Sequence, residues 1–130
     1  MEQPIGNAYF FEIQRHEGVE SLPRLNEALM ALSKEIDIPL VATNDIHYIL
    51  KEDAPAHDVL LCIQTNATVG DPKRMKMHGG SFYLKSEQEM RSLFPNLPEA
   101  ADNTHKIADL CNVELEFGRL HLPKIAVPDD

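Results

Sequence analysis

Asp45 and His47 stand two residues apart at the end of the run "PLVATNDIHYI", Pro39 to Ile49. A carboxylate and an imidazole together suit a divalent metal of the zinc, manganese or iron type. If the chain is still extended there, both side chains point the same way. The pair also follows what reads as a buried strand, and the carboxyl edge of parallel strands is where α/β folds hold ligands. The count is short, because a catalytic zinc takes about three protein ligands and this pair supplies two. The plainer reading is a solvated strand end.

Other polar residues carry weaker signals. Glu12 and Gln14 share one face of an earlier strand, and Arg15 and His16 follow it. If the two strands are neighbours, Glu12 or His16 approaches the same edge; a surface histidine is the simpler reading. The basic cluster "DPKRMKMH", with Lys73, Arg74 and Lys76, reads as a solvated loop or, more sharply, as a phosphate contact. His57 reads as a helix boundary residue. His78, His105 and His121 have no acidic or thiol partner at ligand spacing. A Ser or Cys nucleophile signature, a phosphate-cradling glycine loop and a zinc-type CxxC pair are all lacking.

The elements that must position these residues follow from periodicity. "AYFFEIQ", Ala8 to Gln14, is aromatic and β-branched and predicts a strand. Ser21 predicts a helix cap, and Leu22, Leu25, Leu29, Leu32 and Ile36 form an apolar stripe expected in the core. Pro39 restricts Ile38, so the helix stops near Asp37. "IPLVAT", Ile38 to Thr43, predicts a strand buried on both faces, of the kind found in parallel sheets. Strand, helix and strand make a βαβ unit. Asp53 predicts the cap of a second helix through "APAHDVLLCIQ", with Ala56, Val59, Leu60 and Ile63 inward. A long loop, Thr65 to Ser81, leads to a short strand candidate, "FYL". Ser86 and Glu89 form a capping box for a helix ending at Phe94. Pro98 starts another helix to Cys111, with Ala100, Thr104, Ile107, Ala108 and Cys111 inward. "VELEF", Val113 to Phe117, alternates like a half-buried strand, and a Pro-punctuated tail follows.

The chain thus divides into a βαβα part, residues 1–64, and a part of loop, helices and extended tail, residues 65–130. At 130 residues it is one domain's worth. Its net charge of −9 disfavours a strong grip on nucleic acid by this chain alone. Most of the acidic excess lies early in the chain, where residues 1–70 hold 4 basic and 11 acidic side chains. Cys62 and Cys111 sit among apolar helical residues and suit reduced, buried thiols in a cytosolic protein. No apolar run reaches the roughly 18 residues of a membrane span, and the first ten residues do not read as a signal peptide.

The strings "EIQRH", "PLVATNDIHY", "AHDVLLCIQT", "FYLKSEQEM" and "LFPNLPEAADNTHKIADLCNVELEFG" carry a resemblance. In order and spacing they resemble the family C replicative DNA polymerases of bacteria, from about Tyr9 to Pro128. The resemblance implies the end of an N-terminal PHP domain and its connection to the polymerase palm. The expected fold class is α/β, the last βα units of a truncated PHP-type (β/α)7 barrel followed by a mainly helical segment. The family's last metal motif, an Asp-x-His, falls on Asp45 and His47, with Ile46 where Val is usual. Members that lost this His are thought to keep the domain as a scaffold.

The same resemblance implies that the earlier metal ligands lie upstream of Met1 and the polymerase aspartates downstream of Asp130. The expectation is therefore an inactive segment of a DNA-directed DNA polymerase, binding no metal tightly by itself. The whole protein is expected to use magnesium for synthesis and a zinc- or manganese-type site for 3′–5′ exonuclease proofreading. Its implied partners are DNA, deoxynucleoside triphosphates and other replication subunits, in the cytoplasm and not at a membrane; the segment alone is expected to self-associate. Asn66, where Gly is usual, and Ile125-Ala126, where Phe-Pro is usual, depart from the family pattern.

Overall fold

The computed structural model describes residues 9–120 and 122. Ala8, His121 and nearly all of the expected tail lie outside them. The elements run β1 (Phe11–Ile13), α1 (Leu22–Ile36), β2 (Leu40–Ala42), a 3-10 turn (Lys51–Asp53), α2 (Ala54–Gln64), α3 (Glu87–Leu93) and α4 (Pro98–Leu110). β1 and β2 pair in parallel, with Phe11 opposite Leu40 and Ile13 opposite Ala42. The expected βαβ unit is present, and Thr43 N–H extends the ladder to Ile13 O at 3.1 Å. The chain is mixed α/β, with a two-stranded sheet and four α-helices among the described residues.

All three residues of β2 are buried, as its unbroken apolar run requires. The core gathers Ile13, Leu40, Ala42, Phe94 and Ala100, flanked by Phe11, Leu29, Met30, Met90, Leu93 and Leu97. It therefore draws on residues both before and after position 64. α4 lies along β2, and buried Asn103 donates from Nδ2 to Leu40 O at 2.7 Å. Arg91 of α3 links Glu87 at 2.9 Å and Asp102 of α4 at 2.7 Å.

The helices form where expected, but several faces differ. Ser21 precedes α1 with helical backbone angles and makes no side-chain cap bond. Pro23 in the first turn and a left-handed Asp37 (φ 55°) bound the helix instead. Its apolar stripe is not core: no residue of α1 is fully buried, and Leu25 is 51% exposed and Ile36 48%. Two strands of three residues cannot cover a helix of 15, so only Leu29 and Met30 reach the core. α2 behaves likewise: Cys62 is buried, while Ala56, Val59, Leu60 and Ile63 are exposed. Asp53 does not cap α2 with its side chain; its Oδ2 accepts from Leu50 N–H, closing the preceding turn.

On α4, Ala100 faces inward as expected and Asn103 joins it, whereas Thr104, Ala108 and Cys111 are exposed. Cys111 is thus not a buried thiol. Val113 to Phe117 forms no strand and is exposed throughout; among the described residues no strand pairs with its backbone. "FYL" contributes one parallel bridge, Tyr83 to Tyr48. No described helix is long and apolar enough to cross a membrane.

Two expectations test these arrangements. Asn103→Ala leaves the buried Leu40 carbonyl without its donor and lowers stability by about 1–3 kcal/mol, read from urea midpoints, while exposed Lys106→Ala shifts them negligibly. The capping box of α3 is complete: Glu89 accepts from Ser86 N–H and Oγ, and from Tyr83 Oη at 2.6 Å. The Tyr83 bond first, then the Ser86 bonds, lower the Glu89 pKa from 4.5 to about 2. A depressed carboxylate stabilises above its unfolded value and loses that contribution as pH falls. Glu89→Gln should flatten the pH dependence of unfolding between 4.5 and about 2.

Candidate functional site

The chain leaves β2 through Thr43 and Asn44 at the carboxyl end of the sheet. Buried Asn44 acts as a clasp there. Its Nδ2 donates to Tyr83 O at 2.7 Å and Ser81 O at 3.2 Å, and its Oδ1 accepts from Lys85 Nζ at 2.8 Å. His47 N–H reaches Phe82 O at 2.9 Å, and Leu84 N–H reaches Tyr48 O at 3.1 Å. These bonds stitch residues 44–48 to 81–85. Just before this segment, Gly79 passes close to Glu17: it sits at φ 78°, and a Cβ there would lie 2.8 Å from Glu17 O.

Asp45 and His47 are brought together, but not by an extended strand. β2 has ended, and Asp45 adopts a left-handed backbone (φ 46°). Aspartate tolerates this region better than most residues. The turn sets Asp45 Oδ1 3.2 Å from His47 Nε2, with both side chains exposed. His57 of α2 adds an imidazole whose ring centre lies 5.3 Å from that of His47. Sequence reasoning read His57 as a boundary residue; its only signal was a position ten residues past His47 on the next helix.

His16 does reach this edge. Its ring stacks on Phe82, 4.1 Å between centres, and Phe82 meets the His47 ring edge-on at 5.9 Å. His16 Nδ1 lies 2.9 Å from Ser81 Oγ, while its buried Nε2 has no hydrogen-bond partner among the described residues. The residue is buried, not the surface histidine of the simpler reading. Burial first, then the charges of Lys85 and His47, push its pKa down, against an opposing pull from Asp45. Glu12 is committed elsewhere: its Oε1 accepts from Thr43 Oγ1 and from Gln14 Nε2.

The basic loop divides. Arg74 does not offer a free guanidinium to phosphate, because it forms a two-pronged pair with Asp58 of α2 at 2.7 and 2.6 Å. It also donates to Val69 O and Met75 O, and its side chain is only 6% exposed. Its bond to Asp58, foremost among the causes, lowers the Asp58 pKa and raises its own. Lys73 and Lys76 are exposed beside it and line an open recess with His78.

Asp45 and His47 have the donor chemistry for a divalent metal, but not the number. Among the described residues, no three His, Cys, Asp or Glu side chains converge in a way that would hold an ion. The described residues therefore do not complete a metal centre.

No protein-family model matches the chain, but its sequence has clear relatives. It is 43% identical over 124 residues to the DNA polymerase III subunit alpha of Borreliella burgdorferi, covering 95% of this chain and 11% of that protein. The subunit of Campylobacter jejuni is 44% identical over 110 residues, 85% of this chain and 9% of that protein. That of Pseudomonas aeruginosa is 40% identical over 121 residues, 93% and 10% respectively. By sequence the chain belongs to the family of the bacterial DNA polymerase III alpha subunits. It spans about a tenth of the length of the curated relatives it matches.

The Arg74–Asp58 pair should hold the 65–81 loop against α2. Arg74→Met is expected to raise the rate of tryptic cleavage at Lys73 and Lys76 by about tenfold, through local opening. An unchanged cleavage rate would show that the pair does not restrain the loop.

Proposed function

We propose that this chain works as a segment of a replicative DNA polymerase alpha subunit, a DNA-directed DNA polymerase acting in the cytoplasm. The observation that supports this most is 43% identity along 95% of the chain to one such subunit. On this reading, DNA, deoxynucleoside triphosphates and the other replication subunits are partners of the whole protein. The segment corresponds to the end of a PHP-type domain and the start of its connection to the palm. Lys73 and Lys76 remain candidate phosphate contacts; Arg74 supports the loop that carries them.

Within that protein, Asp45 and His47 would be two donors of a zinc- or manganese-type site used in 3′–5′ exonuclease proofreading. The remaining donors would come from other parts of the polymerase, and magnesium would serve the synthesis site. Asp45 and His47 sit 3.2 Å apart at the carboxyl end of β2, which supports a shared role. A scaffold role is the second reading. It is favoured by the Asn44 clasp, which ties the same turn to residues 81–85 through bonds between protein groups. The exposed apolar faces of α1 and α2 suit burial against the remainder of the polymerase, and would promote self-association of the chain alone.

Two measurements bear on this. The isolated chain should extend no primer and give no tight one-to-one zinc isotherm; a tight isotherm abolished by His47→Ala would overturn the two-donor reading. The chain should also replace the matching segment of the Borreliella burgdorferi subunit with primer extension retained. In that chimera, Asp45→Asn with His47→Ala should lower exonuclease activity at least about tenfold and leave extension unchanged. Loss of extension in the parent chimera would sink the family assignment of function. Unaltered exonuclease activity would favour the scaffold.

A further inference from the structure

A recess of about 310 Å³ opens beside the Asn44 clasp and shares Ser81, Tyr83 and Lys85 with it. Arg15, Lys51 and Lys85 line it, with Glu17 as its one acidic wall residue and His16 and Ser81 beside them. Three cations around one recess are unexpected on a chain of net charge −9. Among the described residues, none of the three has a carboxylate within ion-pair distance. Neutral groups hold Lys85 instead: its Nζ donates to Asn44 Oδ1 and to Ser81 O, and lies 4.3 Å from the Tyr83 ring centre. Arg15 rests over the Phe94 ring.

We propose that this recess binds a phosphate monoester or inorganic phosphate, with Lys85 and Lys51 as its principal cationic contacts and Arg15 at its rim. Three cations face one wall carboxylate in a partly dry recess, and none is ion-paired among the described residues; a dianion meets that excess with charge-assisted bonds. Burial foremost, with the charge of Lys51 adding to it, depresses the Lys85 pKa, while Glu89 and Glu17 oppose them. Glu89 is itself engaged by Tyr83 and Ser86. The buried, unpartnered Nε2 of His16 is a second sign that the polar wall is unsatisfied. Arginine and lysine suit phosphate differently, as a fork and as a point charge, and the recess holds both.

This site does not depend on the polymerase reading, because its test uses the full chain and inorganic phosphate. Phosphate titration at low ionic strength, followed by 31P NMR, should give saturable one-to-one binding. Lys85→Met should weaken it about tenfold, the loss of one charge-assisted bond. Lys51→Met, at an exposed position, should weaken it several-fold and covers the case in which Lys85→Met unfolds the chain. Lys106→Met on α4 should leave binding unchanged. Thymidine 5′-monophosphate identifies the source: tighter binding than phosphate indicates a nucleotide end, and equal binding indicates phosphate itself, each in support. No saturable binding, or equal weakening by Lys51→Met and Lys106→Met, overturns the proposal.

Discussion

β2 has no solvent-facing side, and the other elements are arranged around that constraint. Leu40, Val41 and Ala42 are all buried, so a helix must cover what β1 and α1 leave open. α4 does so from far downstream in the chain, with Ala100 against the strand and Asn103 on its Leu40 carbonyl. A polar group so placed must be paired, and the amide of Asn103 is matched to the strand backbone. The core is small. It stays coherent because Phe94 and Ala100 close it together, with Arg91 tying α3 to α4 at the surface.

The same constraint shapes the site. A strand buried on both faces must release the chain at its carboxyl end, and there Asn44 ties it to residues 81–85. The clasp fixes Asp45, His47, His16, Phe82 and Lys85 within one neighbourhood. It does so through backbone carbonyls and neutral side chains, not through ion pairs. Acidic surface elsewhere and cations here without an ion-pair partner among the described residues therefore coexist in a chain with a net charge of −9. The left-handed backbone at Asp45 is held by bonds on either side of it, from Asn44 and from His47 N–H.

α1 and α2 show the limit of the constraint. Each carries an apolar stripe at helical spacing, yet among the described residues the sheet has two strands and much of each stripe meets water. Hydrophobic periodicity reports the face a helix is prepared to bury. Whether that face is buried depends on the area of the surface opposite. The exposed stripes agree with a sequence that matches about a tenth of far longer relatives.

The sequence by itself determined the elements and their order. Pro39, the Leu22–Ile36 spacing, the Ser86 and Glu89 box and Pro98 are local signals, and the helices begin and end close to them. It also determined the family, and singled out Asp45 and His47 as a pair. Only the tertiary structure decided what those signals face. Val113 to Phe117 alternates like a strand but has no edge to join, because pairing needs a neighbour that periodicity does not encode. Arg74 reads as a loop cation and is a half-buried partner of Asp58, since a salt bridge between residues 16 apart leaves no spacing signature. His16 reaches the edge that the strand order allowed it, whereas His57 and Lys85 come to this turn with no signal in their spacing, His57 by ring contacts with His47 and Tyr48 and Lys85 by its bond to Asn44.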